Sequence, residues 1–249
     1  MFPIRDHNPS GRRPYITYVL MAVNIAVFLI STAELGTDRE MALFYWDYAL
    51  LPGRISAGEG YLGLLTSMFL HGGFMHLAGN MLFLYIFGDN IEDEMGHLPY
   101  LVFYLGCGLA ASLLQYAAAP NSMIPVIGAS GAIAGVMGGY LLLFPKAKVD
   151  ILLILIVFFR VFPVPAWIML GLWFALQLFG GFGTPSDQGG VAYWAHAGGF
   201  LAGMVFTFPL WMRLGGIGFW RRTEGHPPHP DAKYNLTRTS IPKAGKRRL

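Results

Sequence analysis

A serine, two histidines and an asparagine lie inside apolar runs of this 249-residue chain. Polar groups are costly in such surroundings and mark function more often than packing. His76 and Asn80 fall within Phe74–Gly88, Ser130 within Val126–Phe144 and His196 within Val191–Met212. Asn80 follows His76 by four positions, so on a helix the two share a face. Ser130 lies four residues, and His196 five, past the start of its run. With the three runs as parallel helices, all four side chains converge at one depth. A serine hydroxyl is a weak nucleophile until a base stands about 2.6–3.2 Å away. His196 is the base at the right depth on a helix that can pack beside Ser130; His76 is the competing imidazole. No Asp or Glu is available at that depth, since Asp89 lies at the inner end of its run. The expected machinery is a Ser–His dyad suited to acyl transfer. Donors for the developing oxyanion would be the Ser130 N–H, His76 and Asn80.

Each residue also has a plainer reading. A membrane-helix serine often bonds its own i−4 carbonyl, and Asn80 alone could join two helices. His71 and His97 sit at loop edges and read as solvated. Small residues tip the balance for the set. Gly131, Gly135 and Gly139 recur at spacing four, as do Ala195, Gly199 and Gly203. Such stripes let membrane helices approach closely, as the short side chains of Ser130 and His196 require. Gly128, Gly131, Gly199 and Gly203 are therefore expected to support the packing around the dyad. No His-Glu-x-x-His sequence and no paired intramembrane aspartates occur, so no metal site and no cofactor are expected.

The elements that must position these residues are membrane helices. Hydrophobic residues make up 55% of the chain and charged residues 12%, about half the usual charged share. Mean hydropathy is +0.50. This excludes a disordered chain and argues against a soluble globule. The single cysteine, Cys107, excludes a disulfide framework. Six runs are long enough to span: Tyr15–Thr32, Phe74–Gly88, Leu98–Ala119, Val126–Phe144, Pro165–Phe182 and Val191–Met212. Ile151–Phe159 is too short and reads as an interfacial or buried connector, stopped by Arg160, Pro163 and Pro165. Six spans put both termini on one side. Fourteen of the 17 Lys and Arg fall on that side, so the termini are expected to be cytoplasmic. The expected organisation is an all-α six-helix membrane domain over 15–212, a cytoplasmic segment over 1–14 and a basic, disordered cytoplasmic tail over 213–249. The tail lacks the aromatic interleaving of a nucleic-acid binder, so no nucleic-acid partner is expected.

With its motifs in this order the sequence resembles the rhomboid family of intramembrane serine proteases. The matching strings are His71-Gly72-Gly73-Phe74-Met75-His76-Leu77-Ala78-Gly79-Asn80-Met81, Gly128-Ala129-Ser130-Gly131 and His196-Ala197-Gly198-Gly199-Phe200-Leu201-Ala202-Gly203. The resemblance covers roughly residues 15–212. It implies a six-helix bundle with a water-filled cavity open to the outer side. It implies Ser130 as nucleophile, His196 as base, and His76, Asn80 and the Ser130 N–H around the oxyanion. It implies transmembrane helices of other proteins as substrates, entering laterally near the fifth span, with Gly180–Gly190 as a mobile cap. Two positions depart from the family pattern. Tyr61-Leu62-Gly63-Leu64 stands where many members carry a Trp-Arg pair. Ala134 stands where some carry a tyrosine stacked on the histidine, which leaves open what holds the His196 ring.

The expected activity is serine endopeptidase cleavage within the membrane, with the lipid bilayer and transmembrane proteins as partners. The alternative is a silent relative that binds membrane helices without cutting them. A channel or transporter is disfavoured, because no internal repeat is visible. The short basic N-terminus leans toward a bacterial inner membrane.

Overall fold

The computed structural model describes residues 2–155, 158–184 and 189–228. The chain is mostly helical. Strand β1 (Phe2–Asp6) precedes helix α1 (Tyr15–Glu34). Three short helices follow: α2 (Asp38–Tyr48), α3 (Pro52–Ser56) and α4 (Gly63–Thr66). Then come α5 (Phe74–Met95), α6 (His97–Ala118), α7 (Ser130–Leu143), strands β2 (Lys148–Leu155) and β3 (Phe158–Pro165), and helices α8 (Ala166–Gly183), α9 (Tyr193–Leu214) and α10 (Ile217–Thr223). Helices α1, α6, α8 and α9 are long and apolar enough to cross a membrane; α7 is apolar but has only 14 residues.

Helix α7 is the hub. Every residue from Gly131 to Tyr140 is buried, as expected of a helix apolar on all sides. Helices α5, α6 and α9 pack around it. Helices α1 and α8 lie outside and turn apolar side chains such as Leu29, Ile30, Leu172 and Phe179 outward. Between lipid-facing helices the hydrophobic effect gives no drive to associate, so close packing must supply it. The small residues do this. A side-chain carbon on Gly199 would collide with the Gly131 carbonyl oxygen, and one on Gly203 with that of Gly135.

Two boundaries differ from the hydropathy reading. The second span does not stop at Gly88. Helix α5 continues to Met95 because its acidic turn is used as an anchor. The Glu92 carboxylate accepts the Ile16 and Thr17 N–H groups at 2.8 Å each and the Thr17 hydroxyl at 2.7 Å. It thereby caps α1, whose own N-terminus has no side-chain cap. The fourth span begins at Ser130, four residues later than its apolar run. Val126 is held extended by paired backbone bonds with Leu50 (2.9 and 3.1 Å), and Gly128 takes φ +128°.

The short run Ile151–Phe159 is not a lone connector. Its described residues lie in an antiparallel hairpin, β2–β3, and β1 adds to β2 with a bulge between Pro3 and Arg5. The N-terminal segment is thus part of a three-stranded sheet at the C-terminal end of α7. Asn8 is buried there, its amide bonding the Tyr140 hydroxyl at 2.6 Å. Asp150 accepts from Arg5 and bonds His7, both at 2.7 Å. The tail is likewise ordered at its start. Gly215, at φ +115°, ends α9. Helix α10 then folds back, with Phe219 buried and the Trp220 indole N–H donating to the Leu142 carbonyl at 3.0 Å. These two aromatic side chains bind a segment whose basic charge had suggested disorder. Residues 229–249 of the expected tail lie outside the described residues.

Asp6 gives the sheet a pH dependence. Burial pushes its carboxyl up to about 6, against hydrogen bonds from Tyr140 and Asn8 and the nearby His7. A carboxyl that protonates more readily when folded stabilises at low pH and loses that contribution as pH rises from about 4 to about 6. Asp6→Asn mimics the neutral form. It should raise the thermal midpoint at pH 7.5 by roughly 2–6 °C, corresponding to about 1–3 kcal/mol, and leave it unchanged near pH 4. Equal midpoints for wild type and variant at both pH values would remove Asp6 from the pH response.

Candidate active site

The N-terminal ends of α5, α7 and α9 meet at the end of the bundle opposite the sheet. His76, Ser130 and His196 occupy their first turns. Local structure explains why each is there. Ser130 opens α7 because Gly128 redirects the chain. At that φ an L side chain is strained, and a Cβ there would also stand 2.7 Å from His76 Nε2 and 3.5 Å from Ser130 Oγ. The Gly128 N–H donates to the Ser67 carbonyl at 2.9 Å, fixing the loop. Helix α9 lacks a side-chain cap of its own. Gln115 on α6 supplies one, its oxygen accepting the Ala195 N–H at 3.1 Å. This bond sits beside His196 and holds its first turn.

The serine and histidine meet. Ser130 Oγ lies 2.8 Å from His196 Nε2, within the range a nucleophile–base pair requires. The other ring nitrogen, Nδ1, lies 2.8 Å from Gln177 Oε1 on α8. Trp173, one turn earlier on α8, places its ring 5.7 Å from the imidazole centroid at 35°. Ala134 is buried inside α7. Trp173 and Gln177 therefore supply the contacts that the sequence left unassigned around His196.

Asn80 lies on the same face of α5 as His76, but its amide N–H bonds His71 Nε2 at 2.9 Å. His71 is buried and packs edge-on against His76, with ring centroids 5.1 Å apart. Its expected solvation is thus corrected. The Gly72-Gly73 turn folds the loop back over α5 and brings His71 into the site. His97 pairs with Glu92 at 2.6 Å and stays half exposed at the far end.

These groups line one cavity of about 540 Å³ that includes His76, Asn80, Ser130, Trp173, Trp194 and His196. Its size suits a segment of peptide chain. Residues 185–188 of the expected cap lie outside the described residues.

Sequence reasoning missed Gln177, Trp173, Gln115 and the buried state of His71. A signal for Gln177 did exist. It is the one amide or charged side chain in Pro165–Phe182, and the depth argument applied to Ser130 and His196 extends to it.

A family model described as the Rhomboid domain matches residues 58–213. Rhomboid protein 1, mitochondrial, of Saccharomyces cerevisiae is 32% identical over 197 residues, covering 77% of this chain and 52% of that protein. Rhomboid protease GluP of Bacillus subtilis is 33% identical over 129 residues, covering 52% of this chain and 24% of that protein. RHOMBOID-like protein 5 of Arabidopsis thaliana is 32% identical over 152 residues, covering 60% of this chain and 44% of that protein. The chain spans about half the length of the yeast relative and less of the other two. The matched domain takes in well over half of the chain, with Ser130, His196, His76 and Asn80 inside it. This chain, a multi-pass integral membrane protein, belongs to the rhomboid family.

Proposed function

We propose that the chain is an intramembrane serine endopeptidase that cleaves transmembrane segments of other proteins. The observation that carries this reading is the 2.8 Å Ser130–His196 contact inside the cavity. His196 Nε2 takes the Ser130 proton as Oγ attacks the scissile carbonyl carbon. The resulting oxyanion is held by the Ser130 N–H, by Asn80 and by His76. Ser130 is the first residue of α7, so its N–H has no intrahelical acceptor and faces the positive end of the helix. One Asn80 amide hydrogen is taken by His71, leaving the second for the oxyanion. His196 then protonates the leaving amine, and water hydrolyses the acyl-enzyme.

Helices α1, α5, α6, α7, α8 and α9 are the six proposed crossings, with both termini and the sheet on the cytoplasmic side. The shortness of α7 supports a buried site. Fourteen residues rise about 21 Å against a hydrocarbon core of about 30 Å. With its C-terminal end at the inner interface, Ser130 lies roughly 9 Å below the outer one. The domain organisation follows, with 15–212 as the catalytic domain. The compartment of the proposal is a bacterial inner membrane; the relatives comprise bacterial, mitochondrial and plant proteins.

Labelling of the detergent-solubilised protein with a fluorescent fluorophosphonate tests the reading. Wild type should label, and Ser130→Ala and His196→Ala should not. Failure of folded wild type to label would favour a silent helix-binding relative. Asn80→Ala should slow cleavage about 10²–10³-fold without abolishing it, the usual cost of one oxyanion donor. An unchanged kcat would take Asn80 out of the oxyanion hole.

A further inference from the structure

We propose that Gln177 is a positioning residue for the base, so that the working unit is Ser130–His196–Gln177. The inference rests on the protease reading above. A neutral imidazole carries one proton, on Nδ1 or on Nε2. His196 can accept the serine proton only while Nε2 is free, so Nδ1 must carry the hydrogen. The Gln177 amide oxygen, which only accepts, lies 2.8 Å from Nδ1. The amide cannot turn over without loss, because its Nε2–H₂ end donates to the Trp173 carbonyl one turn back on α8, at 3.3 Å. Donation thus runs from the Ser130 hydroxyl through His196 and Gln177 to the Trp173 carbonyl.

An amide suits this place better than a carboxylate. A charge here would lose its hydration inside the bilayer, whereas Gln177 selects the tautomer at no cost in net charge. It gives up the stabilisation that an anion would lend the imidazolium, so its removal should cost less than removal of a carboxylate partner in a soluble triad.

The placement also ties the base to a lightly held helix. Only Ala166, Leu170 and Gln177 are buried on α8. The Nδ1 bond therefore exists only while α8 is seated against α9, and displacement of α8 uncouples the base.

The test uses full-length protein in proteoliposomes and a fluorogenic transmembrane-helix peptide with small residues at its centre. Gln177→Leu keeps the volume and loses the acceptor. Its kcat should fall about 10- to 100-fold, the loss of a buried hydrogen bond plus the wrong tautomer, with KM within about twofold. The rate of fluorophosphonate labelling should fall in parallel. Gln177→Glu keeps the acceptor, so it should hold kcat within about tenfold of wild type. Its charge favours the imidazolium, so the acid limb of the pH profile should move upward. A merely structural role moves no pH limb. Gln177→Leu with wild-type kcat, or Leu and Glu variants equally slow, overturns the proposal. Wild type that neither labels nor cleaves overturns the protease reading instead. Glu is nearly isosteric with Gln, so that variant decides the matter even where Leu loosens α8.

Discussion

Ser130→Ala and His196→Ala should each slow cleavage of a transmembrane-helix reporter about 10⁴-fold or more, with little change in thermal stability. The size follows from roles that cannot be shared. Without Oγ no acyl-enzyme forms, and the residual rate is that of water in a cavity that still orients substrate. Without His196 the hydroxyl keeps its proton, because the ring 2.8 Å away is, among the described residues, the imidazole hydrogen-bonded to it. The two losses should not add. The double variant should be about as slow as either single one, as expected of groups that act as a unit. His76→Ala discriminates between the two imidazoles. His76 packs against His71 and faces the Gly128 turn, so its removal should cost far less than removal of His196. Cleavage by purified His196→Ala within tenfold of wild type would falsify the dyad and move the base to His76.

The pattern of polar residues in apolar runs was readable because the bilayer makes them conspicuous. Ser130, His196, His76 and Asn80 stand out by depth alone, and the first two turns of α5 and the first turns of α7 and α9 bring them together at one end of the bundle. The glycine spacing likewise foretold the backbone approach of α7 and α9. The remainder was illegible for physical reasons. The β2–β3 hairpin reads as one apolar run, because Ile151–Phe159 carries no alternation of period two to reveal a strand. The pairing of β1 with β2 joins Asp6 to Val149, a contact that no local pattern encodes. The true end of α5 was hidden because acidic residues look like a stop until the partner they cap is known. The burial of His71 depends on how the Gly72-Gly73 turn folds, and hydropathy carries no information about that. Hydropathy does not assign Gln177 a role, because its partner, His196, lies on another helix.

Gly199→Leu should prevent folding of the bundle, while Gly171→Leu should be tolerated. Both positions are glycines in apolar helices, so composition does not separate them. Geometry does. A Cβ at Gly171 meets nothing within 4 Å, and replacing a helical glycine there should be neutral or slightly stabilising. A Cβ at Gly199 would collide with the Gly131 carbonyl, and that obstacle is backbone, which cannot rotate away. Overpacking against movable side chains costs about 1–3 kcal/mol. Here two helices must separate, so Gly199→Ala should already cost roughly that much, and Leu should exceed the stability typical of a domain. The functional loss should be steeper still. Gly131 follows Ser130 directly, and Gly199 is one turn beyond His196, so any separation at this crossing lengthens the 2.8 Å contact. Gly203 meets Gly135 one turn deeper. Gly203→Ala should therefore match Gly199→Ala in lost stability and exceed it in retained kcat. Thermal unfolding and cleavage of all four variants in one detergent measure both quantities. Normal folding and cutting by Gly199→Leu would show that the approach of α7 and α9 is not what brings serine and histidine together.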